Sequence, residues 1–150
     1  MEGVTVTKPR DLPADGAGFV PAAEDVESVL AWFAQYDAYV ADGNIEGMAD
    51  MAMFPINEVS DRSDGNASVN LCDRDQFINQ MTGIVGGAGD VRMESKRTPH
   101  FLNKNLVFVI TDATITANGH TQQVRYGDLL VKADGRWVFQ TMVQGGWGDG

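Results

Sequence analysis

The chain is poor in the residues that build cross-links, metal centres and basic surfaces. It has a single cysteine, Cys72, so no disulfide can form within it, and a reducing, cytoplasmic setting is the expectation. Cys72 stands outside any metal or redox spacing and reads as a small buried hydrophobe. Two histidines and one cysteine, scattered, do not make a zinc site. Eleven basic residues face 21 acidic ones, giving a formal net charge of −10. Phosphate backbones and anionic membrane surfaces need the opposite sign, so neither nucleic acid nor membrane is expected as a partner. No apolar run is long enough to span a bilayer, and the first residues lack the apolar core of a secretory signal. "GGAGD" (86–90) follows a helix pattern and precedes none, so it is a poor phosphate loop, and there is no G-x-S-x-G elbow. No cofactor motif is present, and no cofactor is expected.

What remains is ordinary globular usage, 43% hydrophobic over 150 residues, enough for one domain with a real core. Residues 1–23 read as an irregular N-terminal arm and 24–150 as the folded domain. Val26, Val29, Leu30, Phe33, Tyr36 and Val40 recur at helical steps, and Asp42-Gly43-Asn44 ends that helix. A shorter helix carries Ile45, Met48, Ala49 and Ala52, and Pro55 stops it. "INEVS" (56–60) reads as a short strand and "SDRSDGNAS" (60–68) as loop. Asp73 and Gln76 form a capping box for a helix bearing Phe77, Met81, Ile84 and Val85, with Cys72 and Phe77 as its staple. Glycines after Val85 end it.

The remainder is β. Thr98–Ala117 is one long strand, or two broken near Thr111-Asp112. Asn118-Gly119 and Asp134-Gly135 are two-residue hairpin turns. "RWVFQTMVQ" closes the sheet, with Trp137, Phe139 and Val143 facing one way and Val138 and Met142 the other. Helices followed by an antiparallel meander make an α+β chain. Both faces of the meander are apolar, so one face is expected to pack the helices and the other a second copy, giving a homodimer through the sheet.

Three polar residues stand out. His100, between Pro99 and Phe101, is either a proton-transfer group with an imidazole titrating near ~6.5 or a histidine satisfied at a strand end. Tyr36 lies on the apolar stripe of the first helix, as core filler or as a donor aimed into a pocket. Asp128 shares strand parity with Val124, Tyr126 and Leu130. Among apolar neighbours it would be an acid of raised pKa or an orienter of His100; facing outward it would pair with Arg125 or Lys132. Asp61 and Asp64 lie in a charged loop and read as solvated. Phe54, Tyr126, Met142 and Trp147, with Met51 and Met53, are the candidate apolar lining.

Several strings carry a resemblance. "YDAYVADGNIEGMADMAMF" (36–54), "TPHFLNKN" (98–105) and "YGDLLVKADGRWVF" (126–139), in that order, resemble the SnoaL-like branch of the nuclear-transport-factor-like superfamily, which includes polyketide cyclases. The likeness spans residues 23–147. It implies a cone-shaped cystatin-like α+β barrel, a curved mixed or antiparallel sheet wrapped around N-terminal helices. Thr98-x-His100-Phe101, Gly135-x-Trp137-x-Phe139 and the Trp147-Gly148 tail are similar to scytalone dehydratases. That likeness implies a proton-transfer role for His100. The first-helix aspartate that supports the histidine there falls at Ala41, with Asp42 one residue on. No histidine occupies 101–119, where those enzymes carry a second one, and His120 follows a hairpin turn at the rim. The epoxide hydrolase Arg-x-Asp motif is also missing, since two residues separate Arg125 from Asp128. Two functions stay open on this reading: a cofactor-free lyase or isomerase acting on a small apolar, oxygenated ligand through His100, or a non-catalytic binding or assembly module.

Overall fold

The computed structural model describes residues 19–86 and 91–149. Most of the expected arm, residues 1–18, and the glycine-rich end of "GGAGD" therefore lie outside the described residues. Three helices precede or interrupt six strands: α1 (Ala23–Asp42), α2 (Ile45–Asp50), β1 (Ala52–Asp61), β2 (Ala67–Cys72), α3 (Arg74–Gly86), β3 (Val91–Asn103), β4 (Leu106–Ala117), β5 (His120–Ala133) and β6 (Arg136–Gln144). They form one curved, unclosed sheet in the order β2-β1-β6-β5-β4-β3, antiparallel except for the parallel β1–β6 pair. Among the described residues no helix is long and apolar enough to cross a membrane.

Local chemistry explains the ends of these elements. The Asp25 carboxylate accepts from the Ala22 N–H at the start of α1, and Gly43, at φ 67°, closes it. The capping box of α3 forms as expected: the Asp73 N–H donates to Gln76 Oε1 at 2.8 Å and the Gln76 N–H to Asp73 Oδ1 at 2.9 Å. Cys72 and Phe77, on either side of that cap, are both fully buried. Asn118 and Asp134 adopt positive φ, each followed by a positive-φ glycine, and their turns join β4 to β5 and β5 to β6.

Several expectations need correction. Ala52 opens β1 rather than closing α2, and Pro55 lies inside that strand after a cis bond. The expected loop at 60–68 holds the end of β1 and the start of β2, which pairs with β1 from Ile56↔Cys72 to Asp61↔Ala67. β3 begins at Val91, and it breaks from β4 at Lys104-Asn105 rather than near Thr111. Leu30 is 41% exposed; the buried stripe of α1 is Val29 and Phe33, with Trp32 and Tyr36 packed against the core. In β6, Leu129 pairs with Thr141 but Leu130 with Phe139, so Gln140 is an extra residue. This bulge resets the alternation. Trp137, Phe139, Met142 and Gln144 face the helices, while Val138 and Val143 turn away.

The core lies between the concave sheet face and the helices. Phe77 of α3 packs against Phe54 and Phe139 with ring centroids 5.8 Å from each. Trp32 stands edge-on to Phe139 at 5.8 Å and donates its indole N–H to the Trp137 carbonyl at 3.0 Å. The aromatic packing fills the narrow end of the cone and leaves its wider end open.

Candidate active site

That open end is a cavity of about 270 Å³. Its apolar wall is built by Phe33, Met48, Met81, Phe139 and Met142, and Trp147 stands at its edge. Into this wall project six polar side chains: Tyr36, Asp37, Arg97, Tyr126, Asp128 and Gln144.

The register of the sheet sets them in rows. Arg97 pairs with Thr111, Thr111 with Tyr126, and Tyr126 with Gln144, so one line across four strands carries the polar groups. The next line inward pairs Pro99 with Val109, Val109 with Asp128, and Asp128 with Met142. Asp128 therefore sits between Val109 and Met142, which explains why a carboxylate is only 8% exposed. Among the described residues none donates a hydrogen bond to it. Burial raises its pKa from 3.8 to about 7, with the Arg97 charge pulling the other way. Near neutrality the group is thus present as both acid and base.

Tyr36 reaches the same cavity from α1. Trp32 stacks on its ring at 5.5 Å and 11°, and Phe139 meets it edge-on at 5.6 Å, so the phenol is held in one orientation. Burial, reinforced by the negative charge of Asp128, holds its pKa well above the ordinary phenol range. It stays a neutral O–H donor at physiological pH.

Arg97 supplies the positive end. Its side chain is 8% exposed. Both terminal nitrogens donate to the Asp37 carboxylate, Nη2 also reaches Tyr126 Oη at 3.4 Å, and Nε reaches Thr111 Oγ1 at 3.3 Å. The guanidinium lies 4.4 Å above the Phe33 ring centroid. Burial opposes its charge, but Asp37 and Tyr126 together more than offset this and hold the guanidinium above its usual range.

The structure separates the sequence-predicted residues. Tyr36, Asp128, Tyr126, Met142 and Trp147 meet at the cavity. Phe54 does not line it, but backs it through Phe77. His100 is a correction: its side chain is exposed and lies outside the cavity lining. The cause is strand parity. Arg97 and Phe101 face the helices, so His100, between them in phase, faces away. His120 is exposed beside its turn. The α1 aspartate that lines the cavity is Asp37, and its partner is Arg97. A sequence signal for Asp37 exists: it lies four residues after the buried Phe33 and so shares that helix face. Among the described residues no group of three or more His, Cys, Asp or Glu is arranged to hold a metal.

Comparison with solved structures places this geometry. A domain of unknown function with a cystatin-like fold from Nostoc punctiforme superposes with a TM-score of 0.64 at 14% identity, covering 83% of this chain and 78% of that one. The fold is the cystatin-like, NTF2-like cone. A protein provisionally named a scytalone dehydratase, from Novosphingobium aromaticivorans, gives a TM-score of 0.63 at 13% identity, over 80% of this chain and 82% of its own. A ketosteroid isomerase-like protein from Erwinia carotovora atroseptica gives 0.57 at 17%, over 83% and 97%. No protein-family model matches the chain, and no curated protein sequence does. At these identities the likeness establishes the fold and leaves the chemistry to the site.

Proposed function

We propose that the cone binds a small, apolar, oxygenated molecule and moves a proton next to its carbonyl group, an isomerase- or lyase-type reaction in which Asp128 is the acid and base. The observation that carries this reading is the Asp128 carboxyl, buried, without a hydrogen-bond partner among the described residues, and facing an apolar cavity with a pKa of about 7. As carboxylate it takes the proton from the carbon beside the carbonyl, and the C–H electron pair moves into a carbon–carbon double bond. The carbonyl oxygen gains negative charge, which the neutral Tyr36 hydroxyl meets with a hydrogen bond. Asp128 then returns its proton, either to another carbon of the conjugated system or to a departing hydroxyl. A positioned acid–base group of this kind contributes ~10²–10⁴-fold in rate. Arg97, fixed by Asp37, positions Tyr126 and keeps the Asp128 pKa from rising further.

The neighbours that carry dehydratase and isomerase-like names agree with this class. The test is proton exchange into 2-tetralone, a bicyclic ketone of a size suited to the cavity, followed by NMR in D2O. The protein should accelerate exchange beside the carbonyl, with a rate that rises with pH through about 7 as Asp128 ionises. Asp128→Asn should lose at least ~10²-fold. Exchange no faster than in buffer, or unchanged in Asp128→Asn, would refute the reading.

A second copy is the proposed partner. Phe108, Ile110, Leu129 and Val143 lie on the sheet face turned away from the helices, and the Phe108 ring rests directly on Gly127. A side chain at 127 would meet that ring, so the glycine keeps this outer patch flat. Such a face suits isologous packing against itself.

A further inference from the structure

A second, larger space of about 710 Å³ adjoins this cavity, and the two share Met81, Ile84, Met142, Gln144 and Trp147 as walls. The inner face of the β1–β2 hairpin grades along its length from the core into this space. Ile56 pairs with Cys72, both fully buried; Glu58 then pairs with Asn70, and Ser60 with Ser68. Gln80 of α3 and Asp149 complete the polar wall.

The junction between the two spaces is fixed. The Gly146 N–H donates to Asp61 Oδ1 at 2.7 Å, the Trp147 N–H to Ser60 Oγ at 2.9 Å, and the Gly148 N–H to the Asp61 carbonyl at 2.8 Å. These three bonds pin the segment after β6 so that the Trp147 indole forms a shared wall. Asp61, which the sequence places in a solvated loop, is the anchor.

We propose that the outer groove is a subsite for a hydroxylated, uncharged tail on the ligand whose apolar, carbonyl-bearing end occupies the inner cavity. The inference rests on the proton-transfer reading for the inner end only. The outer walls combine the apolar Val59, Met81, Ile84, Met142 and Trp147 with amides and hydroxyls: Asn70, Gln80, Gln144, Ser60 and Ser68. The amides and hydroxyls both donate and accept, as sugar or polyol hydroxyls do. The two carboxylates there already have donors. Glu58 accepts from Asn70 Nδ2 at 2.9 Å, and Asp149 accepts from the Ser63 N–H at 3.0 and 3.2 Å. Among the described residues no lysine or arginine lines the groove, and the single cation lining the inner cavity, Arg97, is bound by Asp37. An anionic tail would meet negative charge without compensation. A neutral hydroxylated tail meets the amides of Asn70, Gln80 and Gln144 and the Ser68 hydroxyl, while its carbon skeleton lies on the apolar wall. The Ser60 hydroxyl is already engaged by the Gln144 carbonyl and the Trp147 N–H.

Three probes with one head group test this in the full-length protein by titration calorimetry: 2,6-dihydroxynaphthalene, its mono-β-glucoside and its monophosphate. The glucoside should bind at least tenfold more tightly than the diol, and the phosphate more weakly than the diol. In the Asn70→Ala/Gln80→Ala double variant, whose two positions are exposed, the ratio of glucoside to diol affinity should fall to near one. The Glu58→Gln/Asp149→Asn variant should narrow the penalty on the phosphate, a second readout from different positions. A glucoside no tighter than the diol, an advantage that survives in the Asn70/Gln80 variant, or no binding of the glucoside at all would overturn the subsite. Tetralone exchange that is lost in Asp128→Asn would stand through any of those results, so the two readings fail separately.

Discussion

Replacing Asp128 with Asn should make the protein more stable at alkaline pH and change the slope of its stability with pH. The native carboxyl titrates at about 7, whereas in the unfolded chain it titrates near its ordinary 3.8. Below pH 3.8 it is neutral in both states. Between those values only the unfolded chain is ionised, so rising pH favours unfolding. The stability this group confers is full below the unfolded pKa and is lost as pH rises through the folded pKa. The whole interval corresponds to ~4 kcal/mol. From pH 5 to pH 8 the loss is ~2.6 kcal/mol. Asn has nearly the same shape and does not titrate, so its profile lacks this component while keeping every other. Urea denaturation of both proteins at half-unit steps from pH 5 to pH 8 reads the difference directly. The gap should move by ~2.6 kcal/mol in favour of Asn as pH rises. Parallel profiles, differing by a constant, would mean that the carboxyl is not held neutral by its surroundings.

Other substitutions follow the same geometry. Tyr36→Phe should leave the 295 nm absorbance titration unchanged up to pH 11, because burial keeps that phenol protonated there; loss of about a third of the signal would contradict this. Arg97→Met removes the partner of Asp37 and should destabilise by ~2–3 kcal/mol in chemical denaturation, less than for a fully buried pair because Asp37 keeps solvent contact. The same variant should raise the Asp128 pKa further, since Arg97 is the charge that opposes its rise. His100→Ala should change stability by no more than ~0.5 kcal/mol and leave tetralone exchange intact; a large loss of exchange would restore the imidazole to the site. Light scattering after size exclusion at micromolar concentration should give twice the chain mass, and Phe108→Glu should give the monomer; a monomeric parent protein would remove the sheet-mediated dimer.

Much of the fold is legible because it is written in short-range chemistry. The Asp73–Gln76 box, the Asn118-Gly119 and Asp134-Gly135 turns and the stripe of α1 each depend on residues a few positions apart. What sequence alone obscured depends on distant partners. β2 (Ala67–Cys72) carries no strand signal because its inner residues, Ser68 and Asn70, are polar where they line a groove. The start of β3, "VRMESKR", falls before the strand expected from Thr98, because Arg97 is charged and its burial rests on Asp37, sixty positions away in the chain. The bulge at Gln140 reverses the facing of Met142 and Val143 without a mark in the sequence. At the site, Asp128 and Tyr36 were legible from parity and periodicity, because their phase matches apolar neighbours. His100 drew attention by residue type and resemblance, yet its phase between Arg97 and Phe101 already sets it on the other face.

The most direct measurement is the titration of the Asp128 carboxyl carbon by 13C NMR, with the resonance assigned by its loss in Asp128→Asn. An inflection near pH 7 is predicted. An inflection near 4 would mean a hydrated, ordinary carboxylate, and the acid–base role assigned to this group would fall with it.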